Sequence, residues 1–187
     1  MRADREIRRS GVRFENTRFD PDLTPFHDLA KQMAARFGYR AELSLSPRLA
    51  ELLRLRVAQL NPCSYCLILH TEVAARLGIP SDVVAHLPSW RESDRFSHAE
   101  KVALAYCEGL TQYDISHFAE LHDELRTHFD EKEVAEIAAV IINMNVWTRL
   151  KLAQGAVPVA DEAPTAPRPS RMTEQVPSDF GPESAEL

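Results

Sequence analysis

Between Ser46 and Gly78 the chain has room for two helices and almost nothing between them. Ser46-Pro47 opens the first, and Leu49, Leu52, Leu53, Val57 and Leu60 recur at helical spacing as its buried stripe. Asn61-Pro62 follows, an N-cap residue and a proline suited to the first helical position. An apolar, helix-favouring stretch then runs from Cys63 to Leu77 and stops at Gly78. So short a link lets the two helices fold against each other. Glu51 on the first can then approach the face of the second.

The rest of the chain also reads as helical. Thr24 to Phe37 repeats Phe26, Leu29, Met33 and Phe37 at helical spacing and ends at Gly38. Ser81 is expected to cap a short helix reaching Leu87, and Ser97 with Glu100 forms a capping box for a helix to about Leu110. Further helices are expected from about His117 to Thr127 and, behind an Asp130 cap, from Glu131 to about Ala153. The last has a broad apolar face suited to a subunit interface. Only Gly11 to Phe19 alternates like an extended arm, through Val12 and Phe14.

The expected organisation is an N-terminal arm over 1–19, an all-α helical domain over 20–154, and a Pro-rich flexible tail over 155–187. The tail holds half of the twelve prolines and few large apolar residues, too few to offset the entropy of ordering it. A length of 187 residues suits one domain with a sizeable core.

A net charge of −6 with no basic block argues against nucleic-acid binding. The charged start, Met1 to Arg9, lacks the apolar core of a signal peptide, and the most apolar run, Ala135 to Trp147, is too short and polar for a membrane span. Three cysteines, two of them close together, fit a reducing cytoplasm rather than a disulfide scaffold.

The chemistry concentrates in Cys63-Ser64-Tyr65-Cys66 and His70. In a helix these spacings put both thiols and the imidazole on one face, and the positive helix N-terminus favours a thiolate. Helical i and i+3 Cβ atoms lie about 5–6 Å apart, whereas an unstrained disulfide needs about 3.8 Å. A Cys63–Cys66 bridge therefore calls for some distortion and is easily reduced, which suits a catalytic disulfide. His70 is placed to take a proton from Cys66, and Glu51 to orient His70.

Plainer readings stand beside this one. Glu51 could be a solvated surface carboxylate, and the cysteines could be inert core residues. Cys63, Cys66, His70 and Glu51 could hold zinc, although the second ligand pair usual in a structural site is missing. No metal and no cofactor is expected. Cys107, Met144 and Trp147 read as core, and Trp90-Arg91-Glu92 as a loop anchor without assignable chemistry.

Glu51, eleven residues, and Cys63-x-x-Cys66-x-x-x-His70, together with Leu55 to Cys66 and the later Leu87-Pro88-Ser89-Trp90-Arg91-Glu92, resemble the AhpD-like branch of the carboxymuconolactone decarboxylase family. The likeness covers about residues 20 to 153. It implies an AhpD-like helical bundle that assembles into a dimer, trimer or hexamer, and a thiol-dependent alkylhydroperoxidase activity. By that analogy Cys66 attacks the peroxide, Cys63 resolves the sulfenic acid, and His70 and Glu51 relay the proton. A dithiol reductant (a lipoyl or thioredoxin-like protein, or a small thiol) resets the enzyme. Some members carry histidine between the cysteines, where this chain has Tyr65. The family's decarboxylases do not need a thiol pair, so the dithiol favours the redox branch. The rival expectation is a non-enzymatic redox switch or partner-binding protein of the same fold.

Overall fold

The computed structural model describes residues 12–114 and 116–160. It is an all-α bundle with one small sheet. In chain order the elements are β1 (Val12–Asn16), α1 (Phe26–Phe37), α2 (Pro47–Leu60), α3 (Ser64–Arg76), α4 (Ser81–His86), α5 (His98–Gln112), α6 (Phe118–Leu125), α7 (Glu131–Gln154) and β2 (Ala156–Ala160). A 3-10 turn spans Pro21–Leu23, and two short 3-10 pieces joined by a kink at Ser89 span Leu87–Glu92.

α2 is the central element, packed by α3, α5 and α7. Its sequence dictates that position: Leu49, Leu52, Leu53, Leu55, Val57 and Ala58 are all buried, so the helix is apolar on more than one side. Ser46 caps it by accepting from the Leu49 N–H at 3.2 Å. The capping boxes expected at Ser97/Glu100 and Asp130 are both formed, the second with Glu133.

Glu108 on α5 is a buried polar anchor. It takes Arg56 at 2.6 Å, Arg91 at 2.7 Å and the Trp90 indole N–H at 2.7 Å. Burial works to raise its pKa, but the hydrogen bonds from Trp90 and Arg91 and the Arg56 charge outweigh it and hold the carboxyl below its ordinary value. The Trp90-Arg91 segment thus locks the 3-10 turn to α2 and α5.

Two expectations change. Asn61 does not cap α3. It ends α2, its N–H bonding the Val57 carbonyl, while its side chain reaches Asn145 and Thr148 on α7. Ser81 is the first residue of α4 and not its side-chain cap. The apolar face of α7 is used within the chain: Val134, Ile137, Val140, Ile141 and Met144 are buried in the core. Exposed apolar side chains remain on α7 at Ile142 and Leu152, and others lie at Leu23, Phe26 and Leu29.

The chain past Gly155 does not leave the domain at once. β2 pairs antiparallel with β1, from Asn16 opposite Ala156 to Val12 opposite Ala160. Counting apolar side chains misses this strand, because backbone hydrogen bonds to the N-terminal arm hold it. The pairing continues through Thr17 N–H to Gly155 O at 3.1 Å and Arg18 N–H to Gln154 O at 3.2 Å. The remainder of the expected tail, 161–187, and residues 1–11 of the expected arm lie outside the described residues. Among the described residues no helix is long and apolar enough to cross a membrane.

Gly155 makes the corner between α7 and β2 at φ +67°, in the left-handed region. A Cβ there would collide with Thr17 Oγ1 and stand 2.9 Å from Arg18 Cγ. Gly155→Ala is expected to cost about 1–2 kcal/mol for the left-handed backbone, measured as a lower urea midpoint with unchanged slope.

Candidate active site

Glu51 lies one turn into α2, on its inner side, and has no exposed surface. Its Oε1 is 2.6 Å from His70 Nδ1 on α3, so the helical hairpin does bring carboxylate and imidazole together. Its Oε2 accepts from Arg54 Nη1 at 3.2 Å. The solvated-carboxylate reading of Glu51 is overturned: burial demands partners, and it has two. Arg54 Nη2 continues to the carbonyls of Phe37 at 3.0 Å and Gly38 at 2.9 Å, the open end of α1. Burial pulls the Arg54 pKa down from its ordinary value, against the Glu51 charge.

The dithiol sits at the mouth of α3. Cys63 is the N-cap, with extended backbone (φ −93°, ψ 101°), and its Sγ accepts from the Cys66 N–H at 3.4 Å. Because Cys63 stands outside the helix, the distortion expected of two helical positions is not needed. The sulfurs already lie 2.8 Å apart, hydrogen-bonded to each other. Both cysteines are reduced and buried.

That bond divides the pair electrostatically. The hydrogen bond with Cys66 pulls the Cys63 pKa below its ordinary value, with help from the Cys66 N–H and the Lys151 charge, against burial. Cys66 is pushed well up by that same bond, by burial and by repulsion from a Cys63 thiolate. Cys63 is therefore the more acidic sulfur of the pair, in keeping with its place at the helix N-terminus.

Access runs the other way. A cavity of about 480 Å³ is lined by Cys66 and His70, and Cys63 is not in its wall. His27, Tyr39 and Arg54 contribute from the α1–α2 side, and Asn143, Met144, Trp147 and Lys151 from α7. Trp147, expected as core, faces the cavity, and Met144 lines it while belonging to the core as expected. Lys151 holds its ammonium 4.3 Å from the centre of the Tyr65 ring and 5.6 Å from that of Trp147. Tyr65 is also packed edge-on by Phe14 of β1, ring centres 4.6 Å apart. His27, on the inner face of α1, bonds Asp22 at 2.6 Å.

Arg54, Lys151 and His27 were not legible as site residues. Arg54 carried one signal, an arginine three positions after Glu51 in an otherwise apolar stripe. Lys151 also had one, its eight-residue spacing from Asn143 on the same helix. Cys107 lies apart in the core, its Sγ 3.8 Å from the Leu53 carbonyl, its pKa pushed up to about 12 chiefly by burial. Among the described residues no three His, Cys, Asp or Glu side chains are grouped to share a metal ion.

The arrangement predicts a two-step thiol titration. In the reduced protein, absorbance at 240 nm should rise first below the ordinary thiol pKa, when the pair loses one proton, and again well above it. In Cys66→Ser the first step should survive. Two overlapping steps at the ordinary value would contradict the asymmetry.

Comparison with known proteins bears on the family and the fold. The family model described as carboxymuconolactone decarboxylase family matches residues 28–109, a span that includes Glu51, both motif cysteines and His70. The uncharacterized protein YdfG of Bacillus subtilis is 31% identical over 118 residues, covering 63% of this chain and 80% of that protein. Among solved structures, a protein of unknown function from Agrobacterium tumefaciens, provisionally described as the antioxidant defence protein AhpD, superposes with TM-score 0.68 at 21% identity. That match covers 74% of this chain and 95% of the other. An uncharacterized peroxidase-related protein from Silicibacter sp. superposes with TM-score 0.63 at 21% identity, covering 71% of this chain and 70% of the other. At such identities the structural likeness speaks to the fold, which is AhpD-like. By sequence and fold, the chain belongs to the carboxymuconolactone decarboxylase family.

Proposed function

We propose that this protein is a thiol peroxidase that reduces organic hydroperoxides or hydrogen peroxide through a Cys63/Cys66 dithiol–disulfide cycle. The observation that carries this reading is the division of the pair. Cys66 and His70 share a cavity wall, while the Cys63 sulfur waits 2.8 Å behind Cys66.

The cycle balances as follows. Cys66 passes its proton to His70, through an intervening water or the substrate oxygen, and its thiolate attacks the peroxide. The O–O bond breaks, Cys66 becomes a sulfenic acid, and the leaving alkoxide or hydroxide takes a proton from the His70 imidazolium. Cys63 then attacks the Cys66 sulfur, and its thiol proton leaves with the sulfenic hydroxyl as water, closing the disulfide. An external dithiol reduces it by exchange and is itself oxidised. Glu51, bonded to Nδ1, holds the imidazole with Nε2 as its acceptor and stabilises the imidazolium.

The electron donor belongs to the dithiol class: a lipoyl or thioredoxin-like protein, or a small thiol. A reducing cytoplasm is the compartment in which the free dithiol would be maintained. We further propose self-association into a dimer, trimer or hexamer. The exposed Leu23, Phe26 and Leu29 supply an apolar surface that such contacts would cover.

One observation favours a second reading, a redox switch. Phe14 of the β1–β2 sheet packs on Tyr65, between the cysteines, a contact through which a switch would carry disulfide formation to the strand arm. Turnover separates the two. With excess dithiothreitol, a peroxidase consumes cumene hydroperoxide over many cycles, whereas a switch oxidises once. Cys66→Ser should lose all consumption, and Cys63→Ser should leave a sulfenic acid that dimedone traps. Glu51→Gln should slow turnover about 10²-fold while remaining folded by circular dichroism. Full activity in Cys66→Ser would contradict the mechanism.

A further inference from the structure

The cavity is much larger than the reacting group requires. A water molecule occupies about 30 Å³ of liquid, and a peroxide group is only slightly bigger. About 480 Å³ lies instead in the range of pockets built for organic ligands.

The wall contributed by α7 has a pattern of its own. Asn143, Trp147 and Lys151 follow one another at four-residue spacing, so they share one face, and all three line the cavity. Lys151 is a cation buried to 8% exposure against the two rings of Tyr65 and Trp147. Two buried polar atoms in this wall have no partner among the described residues, the Trp147 indole N–H and Asn143 Oδ1. Asn143 as a whole is only 2% exposed. A buried donor and a buried acceptor left open in a cavity wall are costly unless a ligand or water completes them.

Charge points the same way. Lys31, Arg40, Arg54 and Lys151 line the cavity against one acid, Asp22, which bonds His27 and Lys31. Arg54 is engaged by Glu51. By formal charge the described lining residues hold more cations than acids, with aromatic faces from Tyr39, Tyr65 and Trp147.

We propose that the cavity is a binding site for an organic acid with a flat apolar body, its carboxylate held by Lys151 and the Trp147 indole N–H. The apolar body lies against the aromatic wall. A hydroperoxy group on the same molecule supplies the O–H that Asn143 Oδ1 lacks and faces Cys66. The substrate class is thus an anionic organic hydroperoxide rather than a neutral alkyl peroxide or hydrogen peroxide. Naming this ligand as the substrate rests on the peroxidase reading; the binding site itself does not.

The test measures binding without turnover. Titration calorimetry of the reduced protein with 4-isopropylbenzoate should give one site per chain, at least tenfold tighter than 4-isopropylbenzamide, its neutral match. Lys151→Met should erase that preference and Lys151→Arg should keep it. Without any variant, 4-isopropylbenzoate should slow iodoacetamide alkylation of Cys66 and the amide should not. Equal affinities, no binding of either, or a preference untouched in Lys151→Met would overturn the proposal. A preference for the benzoate in a protein that turns over no hydroperoxide would leave the site standing and remove the peroxidase reading. Turnover without any carboxylate preference would do the reverse.

Discussion

A carboxylate with no contact to water organises this molecule. Glu51 is fully buried, and a buried charge persists only where its partners are close and well aimed. His70 from α3 and Arg54 from its own helix meet that demand. Arg54 then fastens the carbonyls at the end of α1. One ion therefore fixes the packing of α3 on α2, the approach of α1 and the orientation of the imidazole. Removing one partner of such a set typically costs about 3–5 kcal/mol, because the other is left charged and alone. The hairpin geometry of the site and the stability of the domain are thus the same interaction seen twice.

The dithiol shows how local backbone geometry decides chemistry. With Cys63 as N-cap rather than a helical residue, its sulfur swings over the helix end and meets Cys66. Acidity goes to the sulfur at the positive end of the helix, and access to the sulfur facing the cavity. Spacing alone left that assignment in tension, since the helix dipole favoured Cys63 and the histidine favoured Cys66. The structure keeps both tendencies and separates them in space. In the proposed cycle this serves both steps, with attack by the sulfur in the cavity wall and resolution by the more acidic one.

Much of the fold was legible because helix signals are local. Ser46, Ser97 and Asp130 cap as their sequence contexts demand, and apolar spacing locates α2 and α7. The site was legible where side chains share a helix, as Cys66 and His70 do, or a short hairpin, as Glu51 and His70 do. It was not legible where the partner is remote in sequence. Lys151 and Trp147 reach the site from α7, on the far side of three intervening helices. β2 depends on hydrogen bonds to a strand at the other end of the chain. Asn61 looks like a cap for α3 by composition, but its side chain is claimed by Asn145 and Thr148, which no local reading can foresee.

The central claim is that peroxide oxidises this pair directly and that the two cysteines resolve each other. A single-turnover experiment addresses it. The reduced protein receives one equivalent of cumene hydroperoxide, is quenched by alkylation over seconds, and is mapped by non-reducing peptide mass spectrometry. The account predicts a stoichiometric Cys63–Cys66 disulfide within seconds, with Cys107 still a free thiol. Both motif thiols remaining free for minutes would contradict it.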